Sequence, residues 1–296
     1  MIKSNHCKKL NLAIVGLGLI GGSIAKRLKN RRLFSKIIGI DKISKTLRKA
    51  KRQGAIDDAS LSINSVSKAD VVIIATPIEI ALKLIPSIAR ILKPGTLLMD
   101  TCGLKSDLAD VFYKSGIDTS FISLHPLTGK ETSGIDSADE NLFENKPFLI
   151  IPISVKNKTD ISVAQKIVSS LNAKQIILNS YKDHDIAMST MIHLPHILAY
   201  SLAMLLDNFD YNLQRKYPKY VINSMTGRSF HDMTRVVKSD PALVTEFLTR
   251  NKNNILKHSA KLKSNLNSLL NNLKNTKLLK KQLTVSRRQR LELDKF

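Results

Sequence analysis

His125 stands at the end of the apolar run FISLHP. The polar stretch after it, LTGKETSGIDSADENLFENK, is far longer than the ~4–6 residues that usually join two elements. A histidine so placed can accept a proton near neutral pH; beside Pro126 it can also be a packing residue. His193 and His196 stand three apart in IHLPH, so on a helix they share one face. Pro195 between them denies Met191 its backbone partner and predicts a kink, a place where polar groups often line a cavity. A third cluster, Gly227-Arg228-Ser229-Phe230-His231-Asp232-Met233-Thr234-Arg235, is loop-like. An arginine fork there suits planar carboxylates, which it binds through two parallel hydrogen bonds. Taken alone, the same loop reads equally well as a solvated surface. No Cys or carboxylate completes a metal-ligand set with these histidines, so no metal is expected.

A different chemistry is written near the start. Gly16-Leu17-Gly18-Leu19-Ile20-Gly21 follows the apolar NLAIV and opens a helical pattern. In a G-x-G-x-x-G of this kind the first Gly makes the turn and the second admits a pyrophosphate. The third lets helix and strand approach, and the phosphates meet the free N–H groups of the helix start. The Leu19 and Ile20 amides belong to that start. Asp41 ends the next apolar run 20 residues after Gly21, where a carboxylate accepts hydrogen bonds from a ribose and repels a 2′-phosphate. NAD is therefore expected, with NADP the lesser alternative because Lys42, Lys45 and Arg48 follow. Thr76 and the Asp100–Lys105 stretch end two further apolar runs and fall on the same crevice, with Thr76 a cofactor contact or a helix cap.

These residues need a sheet to hold them. The runs NLAIVGLG, KIIGID, DVVIIATP, TLLMDT, FISLHP, PFLIIPI and KQIILN alternate with amphipathic segments up to about residue 180. Near-continuous Val/Ile/Leu runs mark strands buried on both faces, hence a doubly wound, Rossmann-like, mainly parallel α/β sheet over 1–180. Ser44 is the expected N-cap of a helix that Gly54 closes. From 181 to 280 the periodicity is helical, with Asp240-Pro241 a helix start, and the apolar faces suggest a homodimer through this domain. Residues 281–296 read as a frayed basic tail.

Composition excludes other classes. Forty-seven Lys and Arg against 24 Asp and Glu give a net charge of +23, but the charge is spread along the chain and aromatics are only 5% with no Trp. Anionic small molecules are thus expected as partners rather than nucleic acid. No run reaches the ~18 apolar residues of a membrane span. The basic, apolar start mimics a signal peptide, yet its glycines fit the phosphate pattern instead. Two distant cysteines, Cys7 and Cys102, point to a reducing cytoplasm.

The motifs GLGLIGGS, D-x-x-x-x-K, HPLTGKE-x-SG, LFENKPF, HDIAMSTMIHLPH and FHDMTRVVKSDPALV occur in this order. Together, over about Leu10 to Leu270, they resemble the prephenate dehydrogenase family, which includes arogenate and cyclohexadienyl dehydrogenases. The resemblance implies a monofunctional enzyme that oxidatively decarboxylates prephenate to 4-hydroxyphenylpyruvate for tyrosine synthesis. Arogenate, or another acid of the β-hydroxyacid dehydrogenase type, is the alternative substrate. It implies that His125 accepts the hydroxyl proton, Arg235 anchors a carboxylate, and Asp232 orients its neighbours. Glu131 would gate the site, and His196, with His193, would support it from the helical domain across a cleft. Three positions depart from the family pattern: Gly103 and Ile192 where Ser is usual, and His231 where Arg is common. Each removes a polar contact near the substrate.

Overall fold

In a computed structural model, residues 10–130, 132–206 and 215–294 are described. All seven apolar runs are strands of one eight-stranded sheet, ordered β3-β2-β1-β4-β5-β6-β7-β8. They are β1 (Asn11–Val15), β2 (Lys36–Ile40), β4 (Val71–Ile74), β5 (Leu97–Asp100), β6 (Phe121–Pro126), β7 (Pro147–Ser154) and β8 (Lys174–Ile177). The eighth, β3 (Asp58–Ser60), is a three-residue edge strand that pairs only with β2. Every pairing is parallel except β6 with β7, where His125 faces Leu149.

Helices cross over between the parallel strands: α1 (Leu19–Asn30), α2 (Ser44–Arg52), α3 (Ile78–Ala89), α4 (Ser106–Lys114) and α5 (Lys158–Ser170). The strands read as unbroken apolar text because both faces are covered. Leu12, Ile14, Ile73, Met99 and Ile150 share one fully buried cluster with Ile24 and Leu28 of α1 and Ile167 of α5. The strand order reverses between β1 and β4, so the glycine turn after β1 and Ala75-Thr76 after β4 flank the switch point where open sheets bind ligands.

Two local expectations are corrected. Ser44 is the first residue of α2 and makes no cap; Ile43 holds the cap position, and the Asp41 carboxylate accepts the Ile43 N–H at 2.9 Å. Gly54 does follow the helix end in the left-handed region, at φ +69°. The segment read as a frayed tail is largely helical, within Thr276–Leu293.

The chain divides into two compact units. The first holds the sheet, residues up to Ala187 and Lys238–Leu243, and so includes most of α6 (Tyr181–Met188). The second is helical: α7 (Leu194–Met204), α8 (Lys219–Ser224), α9 (Arg228–Thr234), the rest of α10 (Pro241–Arg250), α11 (Lys252–Asn271) and α12 (Thr276–Leu293). Asp240 starts α10 as expected, its carboxylate accepting the Ala242 N–H at 2.9 Å. Leu266, Leu270, Leu278, Leu283 and Leu291 of α11 and α12 are exposed. Among the described residues one helical stretch, Tyr181–Met204, is long and apolar enough to cross a membrane, with mean hydropathy 1.2. It also carries the buried His184 and Asp185, which protein groups hold in place.

Candidate active site

The nucleotide end is built from backbone. Gly16 sits at φ +91°, and a Cβ there would lie 2.8 Å from both Ala75 O and Thr76 Cγ2. At Gly21 a Cβ would fall 2.0 Å from Gly16 O, so the turn closes only with glycine at both places. Gly18 is different: among the described residues nothing but its chain neighbours lies within 4 Å of where its Cβ would be, which leaves room for a ligand's approach. Leu19 and Ile20 begin α1 at this loop. Asp41 binds the loop directly, its carboxylate accepting the Leu17 N–H at 2.9 Å as well as the Ile43 N–H. Thr76 Oγ1 is the one buried side-chain polar atom among the described residues without a hydrogen-bond partner. An orphaned hydroxyl, an open glycine and a helix start together fit a dinucleotide.

The stretch after His125 packs back on α1, which starts at this loop, and on α2. Gly22 touches it so closely that a Cβ would lie 2.6 Å from Ile135 Cδ1 and 2.9 Å from Ala138 Cβ. Ser23 Oγ accepts the Asp139 N–H at 2.9 Å, Lys26 Nζ donates to Ala138 O at 2.7 Å, and Lys49 pairs with Asp136. Glu131, in the same stretch, lies outside the described residues.

His125 is held at the carboxyl end of β6. Its Nδ1 is 2.9 Å from Nε2 of His184 on α6, the two rings meeting edge to face at 5.1 Å. His184 is fully buried, and its Nδ1 is 2.8 Å from Asp185 Oδ1. Asp185 also accepts the backbone N–H groups of Lys105 and Ser106, at 3.0 and 2.8 Å, where α4 begins. Burial would raise the Asp185 carboxyl, but hydrogen bonds from His184 and Ser106 outweigh it and hold the pKa below the ordinary value. Burial pushes His184 the other way, below the usual histidine range, against the opposing pull of Asp185.

Beneath them, Lys105 is fully buried and donates to Asp100 Oδ1 at 2.9 Å, Cys102 O at 2.6 Å and Leu124 O at 2.7 Å. It joins the ends of β5 and β6 one residue before His125. Gly103 lies beside His125: a Cβ there would be 3.8 Å from His125 Nε2, with no other atom of the described residues beyond its chain neighbours within 4 Å.

In the helical unit, the backbone ahead of Pro195 departs from the regular α pattern. The helix widens to a π turn over Ser189–His193, and Leu194 N–H donates to Ser189 O, five residues back. His193 is buried; its Nδ1 is 3.1 Å from Asn251 Nδ2, and its ring stacks on Phe247 at 4.7 Å. His196 meets the same Phe247 edge-on at 5.1 Å. Its Nδ1 donates to Ile192 O at 2.8 Å, which leaves Nε2 as an acceptor. Arg235 follows α9 and is exposed, and Asp232 pairs with Arg228 at 3.5 Å.

His184 and Asp185 open the motif HDIAMSTMIHLPH but were given no role from sequence, since DHD in isolation reads as the polar first turn of a helix. Among the described residues no group of three or more His, Cys, Asp or Glu is placed to hold a metal ion.

Comparison with known proteins agrees with this architecture. The family model "Prephenate dehydrogenase, nucleotide-binding domain" matches residues 24–177, and "Prephenate dehydrogenase, dimerization domain" matches residues 180–282. A prephenate dehydrogenase of Lactococcus lactis subsp. cremoris (strain MG1363) is 32% identical over 261 residues, 87% of this chain and 70% of its own. The arogenate dehydrogenase of Synechocystis superposes with a TM-score of 0.83 at 25% identity, covering 96% of this chain and 99% of its own. Prephenate dehydrogenase from A. aeolicus, solved with hydroxyphenyl propionate and NAD+, gives 0.81 at 27% identity, covering 96% and 98%.

Proposed function

The chain belongs to the prephenate dehydrogenase family, and we propose that it oxidatively decarboxylates prephenate to 4-hydroxyphenylpyruvate and CO2, on the route to tyrosine, in the cytoplasm and as a homodimer. The observation that carries this reading is His125, held through its Nδ1 at the carboxyl end of β6 on the sheet that carries the glycine loop. Bound NAD+ supplies the acceptor for the hydride that leaves the hydroxyl-bearing ring carbon. The protein's part is to take the hydroxyl proton on His125 Nε2 and to hold the substrate while the ring carboxylate departs as CO2. The aromatic ring that forms supplies the driving force for that departure.

The Leu19 and Ile20 amides, with Gly16, Gly18 and Gly21, hold the pyrophosphate; Asp41 takes the ribose hydroxyls and Thr76 Oγ1 finds its missing partner on the cofactor. Arg235 holds a substrate carboxylate as a guanidinium fork, with Asp232 orienting its neighbours and His196 Nε2 as a further acceptor, and the family resemblance makes Glu131 the gating residue. His193, stacked and bonded to Asn251, supports His196 through their common contact with Phe247. The likeness to the Synechocystis arogenate dehydrogenase makes arogenate the second substrate to try.

The test is NADH formation with prephenate and with arogenate, wild type beside His125→Asn. Loss of the base should lower turnover ~10²–10⁴-fold and leave NAD affinity unchanged. No turnover of either substrate by wild-type protein that binds NAD would refute the activity. Equal loss of turnover and NAD binding in the variant would assign His125 to structure.

A further inference from the structure

We propose that His184 and Asp185 are positioning residues that fix the tautomer of His125, so that Nε2 is the basic nitrogen before any substrate arrives. This rests on His125 being the base. The logic follows from donors and acceptors alone. Asp185 is ionised, so it only accepts, and its two oxygens already take the Lys105 and Ser106 backbone N–H groups. The 2.8 Å contact from His184 therefore requires a proton on His184 Nδ1. A neutral imidazole has one such proton, and burial keeps His184 neutral. Its Nε2 then carries a lone pair, and the 2.9 Å contact requires His125 Nδ1 to donate to it. The lone pair of neutral His125 is left on Nε2, on the side of Gly103.

The same chain serves the protonated state. When the substrate O–H proton moves to Nε2, the imidazolium donates from Nδ1 to His184, whose other nitrogen donates to a carboxylate fixed by a helix start. The positive charge is thereby shared towards Asp185. The groups around this pair are His184 and Asp185 on α6, and Lys105 and Asp100 at the turn from β5 to α4; Lys105 and Asp100 act on His184 with opposite sign. Buried partners that set a histidine's tautomer typically change activity ~10–100-fold when removed.

The direct experiment is ¹⁵N NMR of the histidine rings in the wild-type holoenzyme, with His125→Asn identifying the signal. Below saturation by acid, His125 should show a protonated Nδ1 and an unprotonated Nε2. The reverse tautomer overturns the proposal whatever the kinetics say. His184→Gln keeps one donor towards Asp185 and one acceptor towards His125, and should retain turnover within a few-fold. His184→Phe keeps a ring but neither bond. It should lose ~10–100-fold in kcat with NAD affinity unchanged. The acid limb of its kcat/KM profile should move to lower pH by about one unit, because the imidazolium loses its support.

Equal loss in Gln and Phe variants, or an unmoved acid limb in His184→Phe, overturns the relay. The base reading fails separately, by turnover that survives His125→Asn. Should His184→Phe not fold, the wild-type tautomer and the Gln variant still decide the matter.

Discussion

Replacing Lys105 by Met removes a fully buried ammonium and leaves three acceptors behind. Asp100 Oδ1, Cys102 O and Leu124 O lose their donor, although Asp100 still takes the Cys102 N–H and the Ser123 hydroxyl. The Asp100 charge is then buried without its counter-ion. Breaking such a pair from one side costs ~3–5 kcal/mol, because the orphaned charge carries its full desolvation penalty. For a unit of this size each kcal/mol moves Tm by ~2–4 °C, so the fall should be about 6–20 °C. Since Leu124 immediately precedes His125, turnover measured well below the lowered Tm should fall too. The assay is calorimetry on Lys105→Met beside Asp100→Asn/Lys105→Met. The double variant replaces the stranded charge by a neutral amide and should recover ~1–2 kcal/mol of the loss. A single variant within ~2 °C of wild type, or a double variant no more stable than the single, would refute the argument that this ion pair organises the ends of β5 and β6.

Thr76→Val deletes a hydroxyl that has no protein partner. Thermal stability without cofactor should hold or rise by up to ~1 kcal/mol, while NAD binding weakens about tenfold by calorimetric titration. An unchanged Kd would remove Thr76 from the cofactor contacts. Gly103→Ser adds a side chain where, among the described residues beyond its chain neighbours, His125 Nε2 alone lies within 4 Å; if His125 is the proposed base, Tm should be preserved and kcat/KM should rise about tenfold, from a hydrogen bond beside it of ~1.5 kcal/mol. A clash would show instead as a lower Tm.

Stability should decline as pH falls below the ordinary histidine value of ~6.5, because His184 has a lowered pKa in the fold and the unfolded chain binds the proton first. His184→Gln should flatten that part of the urea-unfolding profile. A further decline below the unfolded carboxylate value of ~3.9 belongs to Asp185, whose folded pKa is also lowered, and should persist in the Gln variant.

Much of this protein was legible in order of residues. A strand covered on both faces must be apolar throughout, so seven strands announce themselves. A phosphate cradle needs glycine at fixed places, so Gly16 and Gly21 do too. The edge strand β3 does not, because DAS buries little and takes its pairing from β2. Nor does the sense of β7, since an antiparallel strand inside a covered sheet carries the same apolar text as a parallel one. Pro195 was visible but the π turn before it was not, because the form a helix takes there depends on what packs around it, here Phe247 and Asn251 against His193. The burial of His184 was hidden for a similar reason. A polar residue in the first turn of a helix looks solvated until some other element buries it. Sequence alone thus determined the sheet, the glycine loop and the place of His125 at the end of β6. Only the tertiary structure decided what its Nδ1 meets, because His184 and Asp185 lie 59 and 60 residues away along the chain and reach it only through the fold.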